Sequence, residues 1–284
     1  MKRYLLLILL LPCLAFGQTE LSDVTFDNLF YKGLNKWVAF PKAEKDSIYL
    51  YGFIYLDHTA GFTFGYEGHF TVGPDGTFIA SPVNQQSRII SRLDPQKQNL
   101  VAILPAERQK QLGVPSEPDW LVNYRHESEL ADATATGSSL NHIGASEDAL
   151  FYLEPAYQKE PHYKGLEFEI AYAYNALGRY DDAVNVLIAA LPHDRKNHLL
   201  YKELVFAYAS LAQLDKAEIV AKKSIDVCEE ERTKSEIAVN MAQSYYTLKD
   251  RQKFKKWTSI ARQHTKPGSE YSKYVDFFES ELKK

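Results

Sequence analysis

The sequence has very little cysteine, and this scarcity excludes two kinds of structure. Of its 284 residues, only Cys13 and Cys228 are cysteine. Cys13 lies in the apolar run at the start of the chain, so the remainder can form neither an intramolecular disulfide nor a zinc site with two cysteine ligands. Cys228 falls near the end of a predicted helix, where the expected role is a small packed residue rather than a nucleophile.

Recognisable catalytic motifs are also lacking. No glycine-rich loop follows a predicted strand, and no serine has the Gly-x-Ser-x-Gly setting of a nucleophile elbow. Paired carboxylates such as Asp181 and Asp182 are placed at helix starts, where negative charge suits the exposed backbone amides. The sequence therefore predicts no catalytic residue, no cofactor and no enzyme activity.

The first 17 residues predict a secretory signal peptide. Lys2 and Arg3 precede an apolar run that is too short to span a bilayer comfortably, and small residues near Gly17 suit a signal peptidase. Cys13 raises a lipoprotein alternative, which Pro12 disfavours because a lipid-attachment site needs a small flexible residue there. We expect an exported protein, periplasmic or secreted, that is cleaved near Gly17.

Charge is unevenly distributed along the rest of the chain. Without the signal peptide the chain has 31 Lys and Arg against 37 Asp and Glu, whereas residues 232–284 have 12 basic and 6 acidic residues. This basic end fits a solvated helix end, or alternatively an acidic partner or lipid headgroups. Its basic cluster consists of Lys249, Arg251, Lys253, Lys255 and Lys256. Nucleic acid is not an expected partner of an exported acidic chain, and no later apolar run predicts a transmembrane span.

Residues 22–124 have the pattern of a small antiparallel β-rich domain. Between Ser47 and Ser81 bulky residues alternate with a period of two. The predicted strand at 48–56 has aromatic residues on one face and aliphatic residues on the other, so both faces are expected to be covered. The turn Gly73-Pro74-Asp75-Gly76 predicts a hairpin. Further strands are predicted at 36–40, 88–93 and 100–104, and a short helix at 105–112.

Residues 127–284 have helical periodicity and an internal repeat. Ala149, Ala183 and Ala217 are 34 residues apart and have similar surroundings. A fixed period of this length predicts helical hairpins stacked into an array. Small residues such as these alanines allow the two helices of a hairpin to approach closely.

Residues 130–268 resemble the tetratricopeptide repeat family. The best unit, 164–197, has matching residues at Ile170-Ala171, Tyr174, Leu177-Gly178, Tyr180, Ala183, Leu187 and Ala190. It departs from the family at Glu167 and Arg195, where the family usually has tryptophan and proline. The last unit fits only after a shift of three residues and has Phe254 in place of the small residue, so a splayed hairpin is expected.

The predicted fold class is therefore α+β. A β-rich domain over 22–124 precedes an α-solenoid of about three or four tetratricopeptide-like hairpins over 127–284, and a capping helix over 269–282 seals the array. The resemblance implies that the first helix of each pair lines a groove for a protein or peptide partner. The residues expected to face this groove are Phe168, Tyr172, Asn175, Lys202, Phe206, Gln243 and Tyr246, with Asn141 and His142 at its N-terminal end.

Two functions from different classes fit the sequence. The first is an exported, non-enzymatic interaction scaffold, for instance in an envelope complex, whose groove takes a hydrophobic peptide segment or a helix. In the second, the β domain is an enzyme or a ligand- or metal-binding module, and the repeats serve assembly. The second interpretation rests on His58, Glu67 and His69, whose spacing matches no known ligand pattern. The packing alternative for the groove is that Phe168, Tyr172 and Phe206 are core residues.

Overall fold

The chain divides into two compact units, Met1–Tyr124 and Arg125–Lys284. The structure is a computed structural model, and it describes residues 24–57, 59–82, 89–97 and 99–284. The predicted signal peptide, Cys13 and His58 lie outside the described residues. Each unit has its own core, and the two are described separately.

The first unit is built on a seven-stranded antiparallel sheet, counted over the described residues. Its order is β1-β7-β2-β3-β4-β5, and β6 pairs with β4 beyond the end of β5. A short helix, α1 (Ala106–Gln111), and 3₁₀ turns at Phe30–Gly33 and Asp119–Tyr124 accompany the sheet. The strands are β1 (Asn28–Leu29), β2 (Lys36–Phe40), β3 (Tyr49–Asp57), β4 (Gly61–Val72), β5 (Phe78–Pro82), β6 (Ile89–Arg92) and β7 (Leu100–Ile103).

The aromatic face of this sheet forms the main core of the first unit. Its side chains are almost fully buried and include Trp37, Tyr51, Phe53, Tyr55, Phe70 and Phe78. The ring of Phe70 stacks on that of Phe78 with centroids 4.2 Å apart, and Tyr55 meets Trp120 at 5.0 Å. Aromatic pairs at these distances add specific attraction to the burial of apolar surface.

The opposite face of the sheet is covered at one end only. Ile54 is fully buried there together with Phe30 and Val38, whereas Ile48 and Leu50 are 39% and 44% exposed. The expectation that both faces of the strand are covered is therefore wrong at its beginning. The physical reason is that the 3₁₀ turn carrying Phe30 is short and contacts β3 at its Ile54 end.

A β-bulge interrupts the pairing of β3 with β4. Tyr51 pairs with Gly68 and Gly52 with Tyr66, which leaves Glu67 as an extra residue in β4. The two backbones approach so closely here that a Cβ atom on Gly52 would lie 2.1 Å from the carbonyl oxygen of Gly65. Only glycine fits at position 52 without a shift of the backbone.

The predicted turn between β4 and β5 is present. The amide of Gly73 donates to the carbonyl oxygen of Thr77 at 2.8 Å, and Gly76 has a φ of 80°. The Asp75 carboxylate accepts from the amide and the hydroxyl of Thr77 at 3.0 and 2.8 Å. These bonds close the hairpin on the loop that the glycine and proline residues predict.

The second unit consists of four helical pairs and a final helix, and all of its residues are described. Each helix packs against the next, and the first helices α2, α4, α6 and α8 also contact their equivalents in the neighbouring pair. The helices are α2 (Glu129–His142), α3 (Ser146–Lys159), α4 (Leu166–Ala176), α5 (Tyr180–Ala190), α6 (His198–Ser210), α7 (Leu214–Val227), α8 (Glu231–Thr247), α9 (Arg251–His264) and α10 (Ser272–Leu282). The predicted α+β class with a helical repeat region is confirmed.

Small residues allow the paired helices to approach, as the repeat predicts. Ala149, Ala183 and Ala217 have no exposed surface. A Cβ atom on Gly137 would lie 2.4 Å from the Leu153 side chain across the first pair. Close helix contact at these positions is what fixes the geometry of each hairpin.

The last hairpin is not splayed, contrary to the expectation from Phe254. Helices α8 and α9 pack along one another, and Phe254 is 4% exposed. Its ring lies 5.1 Å from that of Tyr246 and 5.4 Å from that of Phe278 in α10. Helix α8 has 17 residues against 13 in α6, and this extra turn takes up the three-residue shift.

The turn inside each pair uses a left-handed residue at the equivalent position. Gly144 and Gly178 have φ angles of 78° and 74°, and Ala212 and Lys249 have 58° and 59°. This backbone conformation carries little cost for glycine and an appreciable one for a residue with a Cβ atom.

Replacing Ala212 with glycine is therefore expected to stabilise the helical unit. Glycine removes the strain of the left-handed conformation, and this effect outweighs the extra conformational entropy of the unfolded chain. The free energy of unfolding is therefore expected to rise by about 0.5 kcal/mol. Chemical denaturation followed by circular dichroism would measure it. Ala189→Gly, at an exposed position inside α5, is the matched control and should lose roughly 0.5–1 kcal/mol. A loss for Ala212→Gly would contradict the assignment of strain at this turn.

Candidate functional site

The exposed side of α4 and α6 carries two aromatic rings at equivalent repeat positions. Tyr172 and Phe206 are 34 residues apart and are 38% and 46% exposed. Phe168 is half-buried, with its ring 6.3 Å from that of Tyr172. The surface formed by Phe168, Tyr172, Lys202 and Phe206 is named the first-helix face. Its two exposed rings are not core residues of the helical unit, whereas Phe168 is partly packed.

Lys202 supplies a positive charge on this face, and the charge is already paired. Its ammonium group lies 3.4 Å from a carboxylate oxygen of Glu236 and 3.9 Å from one of Glu203. The Lys202 side chain is only 25% exposed. Lys202 therefore links α6 to α8, and any partner that used its charge would compete with Glu236.

Asn175 is not on the surface, contrary to its predicted place in the groove. It is 4% exposed, and its amide donates to the backbone oxygen and the carboxylate of Glu203 at 3.1 and 2.9 Å. Asn141 is equally buried and makes the same two contacts to Glu169, both at 2.9 Å. His142, predicted beside Asn141, is exposed. The asparagines thus join successive first helices instead of facing a partner.

The Asn175–Glu203 contact places a carboxyl group in a poorly hydrated position. Burial raises the pKa of Glu203, while the hydrogen bond from Asn175 and the charge of Lys202 act in the opposite direction. A sequence signal for this contact exists, since both asparagines precede their glutamates by 28 residues. Buried polar groups of this kind need their partners.

The two predicted groove residues on α8 have different surroundings. Gln243 is exposed, and its amide donates to the Thr247 hydroxyl at 3.4 Å. Tyr246 is half-buried under α10, where its hydroxyl donates to Glu281 at 3.0 Å and its ring meets that of Phe277 at 5.9 Å. Tyr246 therefore holds the final helix in place, which corrects its assignment to the groove.

Much of the basic cluster near the C-terminal end is paired within the chain. Lys253 lies 2.9 Å from Asp215, Lys256 lies 2.7 Å from Glu218, and Arg251 donates to the carbonyl oxygen of Leu282 at 2.5 Å. The other two members, Lys249 and Lys255, are exposed. The cluster therefore stabilises the last repeats, and its role toward an acidic partner stays a prediction.

Glu218 is the centre of this charge network. Burial raises the pKa of Glu218, but hydrogen bonds from Lys256, Lys222 and Tyr245 outweigh burial and bring the pKa down to about 2. A depressed carboxylate pKa means that the folded state is stabilised by the ionised form. This stabilisation is present above the ordinary value of 4.5 and is lost as the pH falls from 4.5 towards 2.

Replacing Glu218 with glutamine is expected to destabilise the helical unit at pH 7 by about 1–3 kcal/mol, because Lys222, Lys253 and Lys256 lose the carboxylate that they share. The difference from the unmodified chain should shrink as the pH falls below 4.5. Thermal unfolding at pH 7 and pH 3.5 would measure this. Asp215→Asn, at a carboxylate that is 91% exposed, is the control and should have a smaller effect. Equal effects of both substitutions would contradict a central role for Glu218.

The predicted metal constellation in the sheet unit is only partly described. Glu67 is the bulge residue of β4, and the Nδ1 atom of His69 lies 3.4 Å from the Tyr66 hydroxyl. His58 lies outside the described residues. Within the described residues, no three His, Cys, Asp or Glu side chains are grouped so that they could hold a metal ion.

A cleft of about 480 Å³ lies where α8 begins and the loop before α10 passes. Its charged groups largely satisfy one another, since His264 lies 2.8 Å from Glu231 and Arg232 lies 3.1 Å from Glu270. This arrangement presents no nucleophile with an adjacent base. Among the helices of the described chain, none combines the length and the apolar character needed to cross a membrane.

The family match falls on the helical unit. Residues 144–205 match the family model described as tetratricopeptide repeat. No curated protein sequence matches the chain.

Several solved structures are similar to this chain at low sequence identity. TTC0263, a thermophilic tetratricopeptide repeat protein of Thermus thermophilus, is 18% identical with a TM-score of 0.46, over 53% of this chain and 81% of that one. MamA from MSR-1 is 16% identical with a TM-score of 0.41, over 62% and 90%. MamA from Desulfovibrio magneticus RS-1 is 18% identical with a TM-score of 0.42, over 56% and 87%.

The repeat spacing, the stacked helical pairs and the family match agree. Ala149, Ala183 and Ala217 lie at the close contacts of three successive pairs, and the matched segment includes α4 and α5 in full. Residues 144–205 of the second unit are therefore similar to the tetratricopeptide repeat family, and they lie within its series of stacked helical pairs.

Proposed function

We propose that this chain is an exported, non-enzymatic scaffold that binds a protein partner on the first-helix face. Stacked repeats of this kind commonly serve protein–protein interaction, and the family match at residues 144–205 supports such a role. Binding on this face is supported by two exposed rings, Tyr172 and Phe206, at equivalent positions of adjacent first helices.

The surroundings of these rings favour an apolar segment of the partner. Tyr172 and Phe206 offer rigid aromatic area that loses little entropy on binding. The nearby charges are paired, because Lys202 is held by Glu236 and the Glu203 carboxylate accepts from Asn175. A hydrophobic peptide segment or an amphipathic helix would cover the rings without separating these pairs.

The alanine variant of both rings tests the site. We expect Tyr172→Ala with Phe206→Ala to weaken capture of envelope partners from native cells by roughly 100-fold, since two aromatic hot spots are worth about 1–2 kcal/mol each. The matched control is Phe151→Ala, which removes a 77% exposed ring from the second helix α3. Capture unchanged by the double variant, or lost equally in Phe151→Ala, would contradict the proposal.

Export rests on the sequence of the first 17 residues. The basic start, the short apolar run and the small residues near Gly17 support a cleaved signal peptide. The mass of the protein purified from its own cells should correspond to a chain that begins near Gln18. An intact N-terminal methionine would contradict export by this route, and a lipid on Cys13 would support the lipoprotein alternative instead.

A further inference from the structure

Strand β6 lies at an edge of the sheet and is exposed along its whole length. Ile89, Ile90, Ser91 and Arg92 are all exposed, and the exposed fractions of the two isoleucines are 56% and 52%. On its inner side β6 pairs with β4, and no described strand pairs with its outer side. An open and apolar strand edge can accept a further strand from another chain.

The outward backbone groups of β6 follow from the hydrogen bonds on its inner side. The amide of Leu93 donates to the carbonyl oxygen of Phe62 in β4 at 2.8 Å. In an antiparallel pair, hydrogen-bonded and non-hydrogen-bonded positions alternate. The register therefore directs the N–H and C=O groups of Ile90 and Arg92 away from the sheet. Each of these two residues offers a donor and an acceptor to a further strand.

The neighbouring edge strand β5 is protected where β6 is not. The same alternation, starting from the bond between Gly73 and Thr77, directs the amide of Phe78 outward. This amide donates to the side-chain oxygen of Gln111 in α1 at 3.0 Å. Strand β5 ends at Pro82, which has no amide hydrogen, and β1 at the opposite edge has only two residues. Such features usually protect sheet edges, and they leave β6 as the open one.

The side chains of β6 define the chemistry of a strand that can pair with it. Ile90 and Arg92 lie on one face of the strand, and Ile89 lies on the other. The nearest acidic residue along the chain, Asp94, accepts from the amide of Gln96 at 3.0 Å in the following turn. Apolar pairs and pairs of opposite charge stabilise neighbouring strands. A matching strand therefore has an acidic residue beside the arginine and apolar residues beside both isoleucines.

We propose that β6 is a docking edge for an extended segment of a partner protein, which joins the sheet as a further antiparallel strand. In chain order, the segment has an acidic residue, any residue and two apolar residues. The acidic residue lies beside Arg92, and the apolar residues lie beside Ile90 and Ile89. Main-chain hydrogen bonds supply the affinity in this mode of recognition, and alternate side chains supply the specificity. The edge belongs to the sheet unit, so the proposal is independent of the first-helix face.

A second copy of the chain matches this edge less well. The two-fold register that engages both outward residues is centred on Ser91, and it brings the isoleucine of one copy opposite the arginine of the other. Neither the charge nor the apolar side chain then has a favourable neighbour. An edge of four residues is also small beside the roughly 1,200–2,000 Å² that stable protein–protein interfaces bury. Both points favour a linear segment of a partner.

Nuclear magnetic resonance of the full chain with a synthetic peptide tests the main-chain pairing. The probe is a soluble peptide with the central sequence Glu-Thr-Val-Val. At saturation, hydrogen exchange of the Ile90 and Arg92 amides should slow by about fivefold or more, the effect of one net hydrogen bond. Ile90→Pro removes an outward amide and keeps the bonds to β4, so it should weaken peptide binding by about fivefold or more. Ile79→Ala, which removes a 55% exposed isoleucine from β5, is the matched control and should bind normally.

Charge exchange tests the acidic preference and does not depend on the proline variant. Arg92→Glu, at an exposed position, should weaken binding of the same peptide by about fivefold or more, because like charges replace an opposite-charge pair. A peptide with lysine in place of its glutamate should bind Arg92→Glu more tightly than it binds the unmodified chain. Equal binding of both peptides by both proteins would overturn the proposed chemistry.

Three further results would overturn the docking edge itself. The first is unchanged exchange of the Ile90 and Arg92 amides at millimolar peptide. The second is protection of these amides without peptide that rises with protein concentration, which would assign the edge to a second copy. The third is loss of peptide binding in the variant with both Tyr172→Ala and Phe206→Ala, which would place the peptide on the first-helix face. Peptide binding that this double variant retains supports the edge, whatever the outcome for the first-helix face.

Discussion

Replacement of Gly52 with alanine is expected to unfold the sheet unit or to destabilise it by about 3 kcal/mol or more. The added Cβ atom would lie 2.1 Å from the carbonyl oxygen of Gly65 and 2.7 Å from the Phe64 ring. The carbonyl belongs to the paired strand β4, so relief requires movement of the sheet at its bulge. Loss of this magnitude is a large part of the stability of an ordinary domain.

Tryptophan fluorescence is the readout that reports mainly on the sheet unit, because two of the three tryptophans, Trp37 and Trp120, lie in it and only Trp257 lies in the helical unit. Gly73→Ala is the matched control. Its added Cβ atom would meet the end of the Asp75 side chain at 2.9 Å, and a side-chain end can move. We expect a loss below about 1 kcal/mol for this control. A stable Gly52→Ala variant would contradict the close strand approach at the bulge.

Replacement of Asn175 with leucine is expected to destabilise the helical unit by about 2–4 kcal/mol, because the buried Glu203 carboxylate loses its amide donor. Partner capture by the remaining folded protein should be unchanged, since Asn175 is buried between first helices. Urea unfolding monitored by circular dichroism measures the stability, and pull-down measures the binding.

Two further variants distinguish the loss of the Asn175–Glu203 hydrogen bond from a simple packing effect. Replacing both partners, Asn175→Leu with Glu203→Met, should recover most of the loss, because neither side then keeps an unpaired buried group. Asn141→Leu should cost less than Asn175→Leu, since its partner Glu169 is only half-buried. A double variant as unstable as the single one would argue against the amide–carboxylate contact.

The parts of the fold that follow from local periodicity could be predicted from the sequence. The 34-residue spacing of Ala149, Ala183 and Ala217 predicts the stacked pairs, and the alternation around Tyr51 predicts the sheet. Both patterns report which side of an element is buried, and burial is what periodicity encodes. The order of strands within the sheet and the bulge at Glu67 depend on pairing between distant segments, which periodicity does not encode.

For the candidate site, the sequence predicts which residues lie on first helices, but it does not predict which of them are exposed. The first-helix position of Tyr172 and Phe206 follows from the resemblance, and both rings are exposed. The same reasoning fails for Asn175 and Tyr246, because one is buried by the neighbouring first helix and the other by α10. A position on a first helix does not fix exposure when the neighbouring helix provides a partner for the side chain.

Photo-crosslinking in the native cell tests the central claim most directly. A photoreactive amino acid placed at Tyr172 or at Phe206 should give one and the same crosslinked protein, identified by mass spectrometry. The same probe at Phe151, on a second helix, should not capture it. A partner captured at Phe151 but not at Tyr172 or Phe206 would contradict binding on the first-helix face.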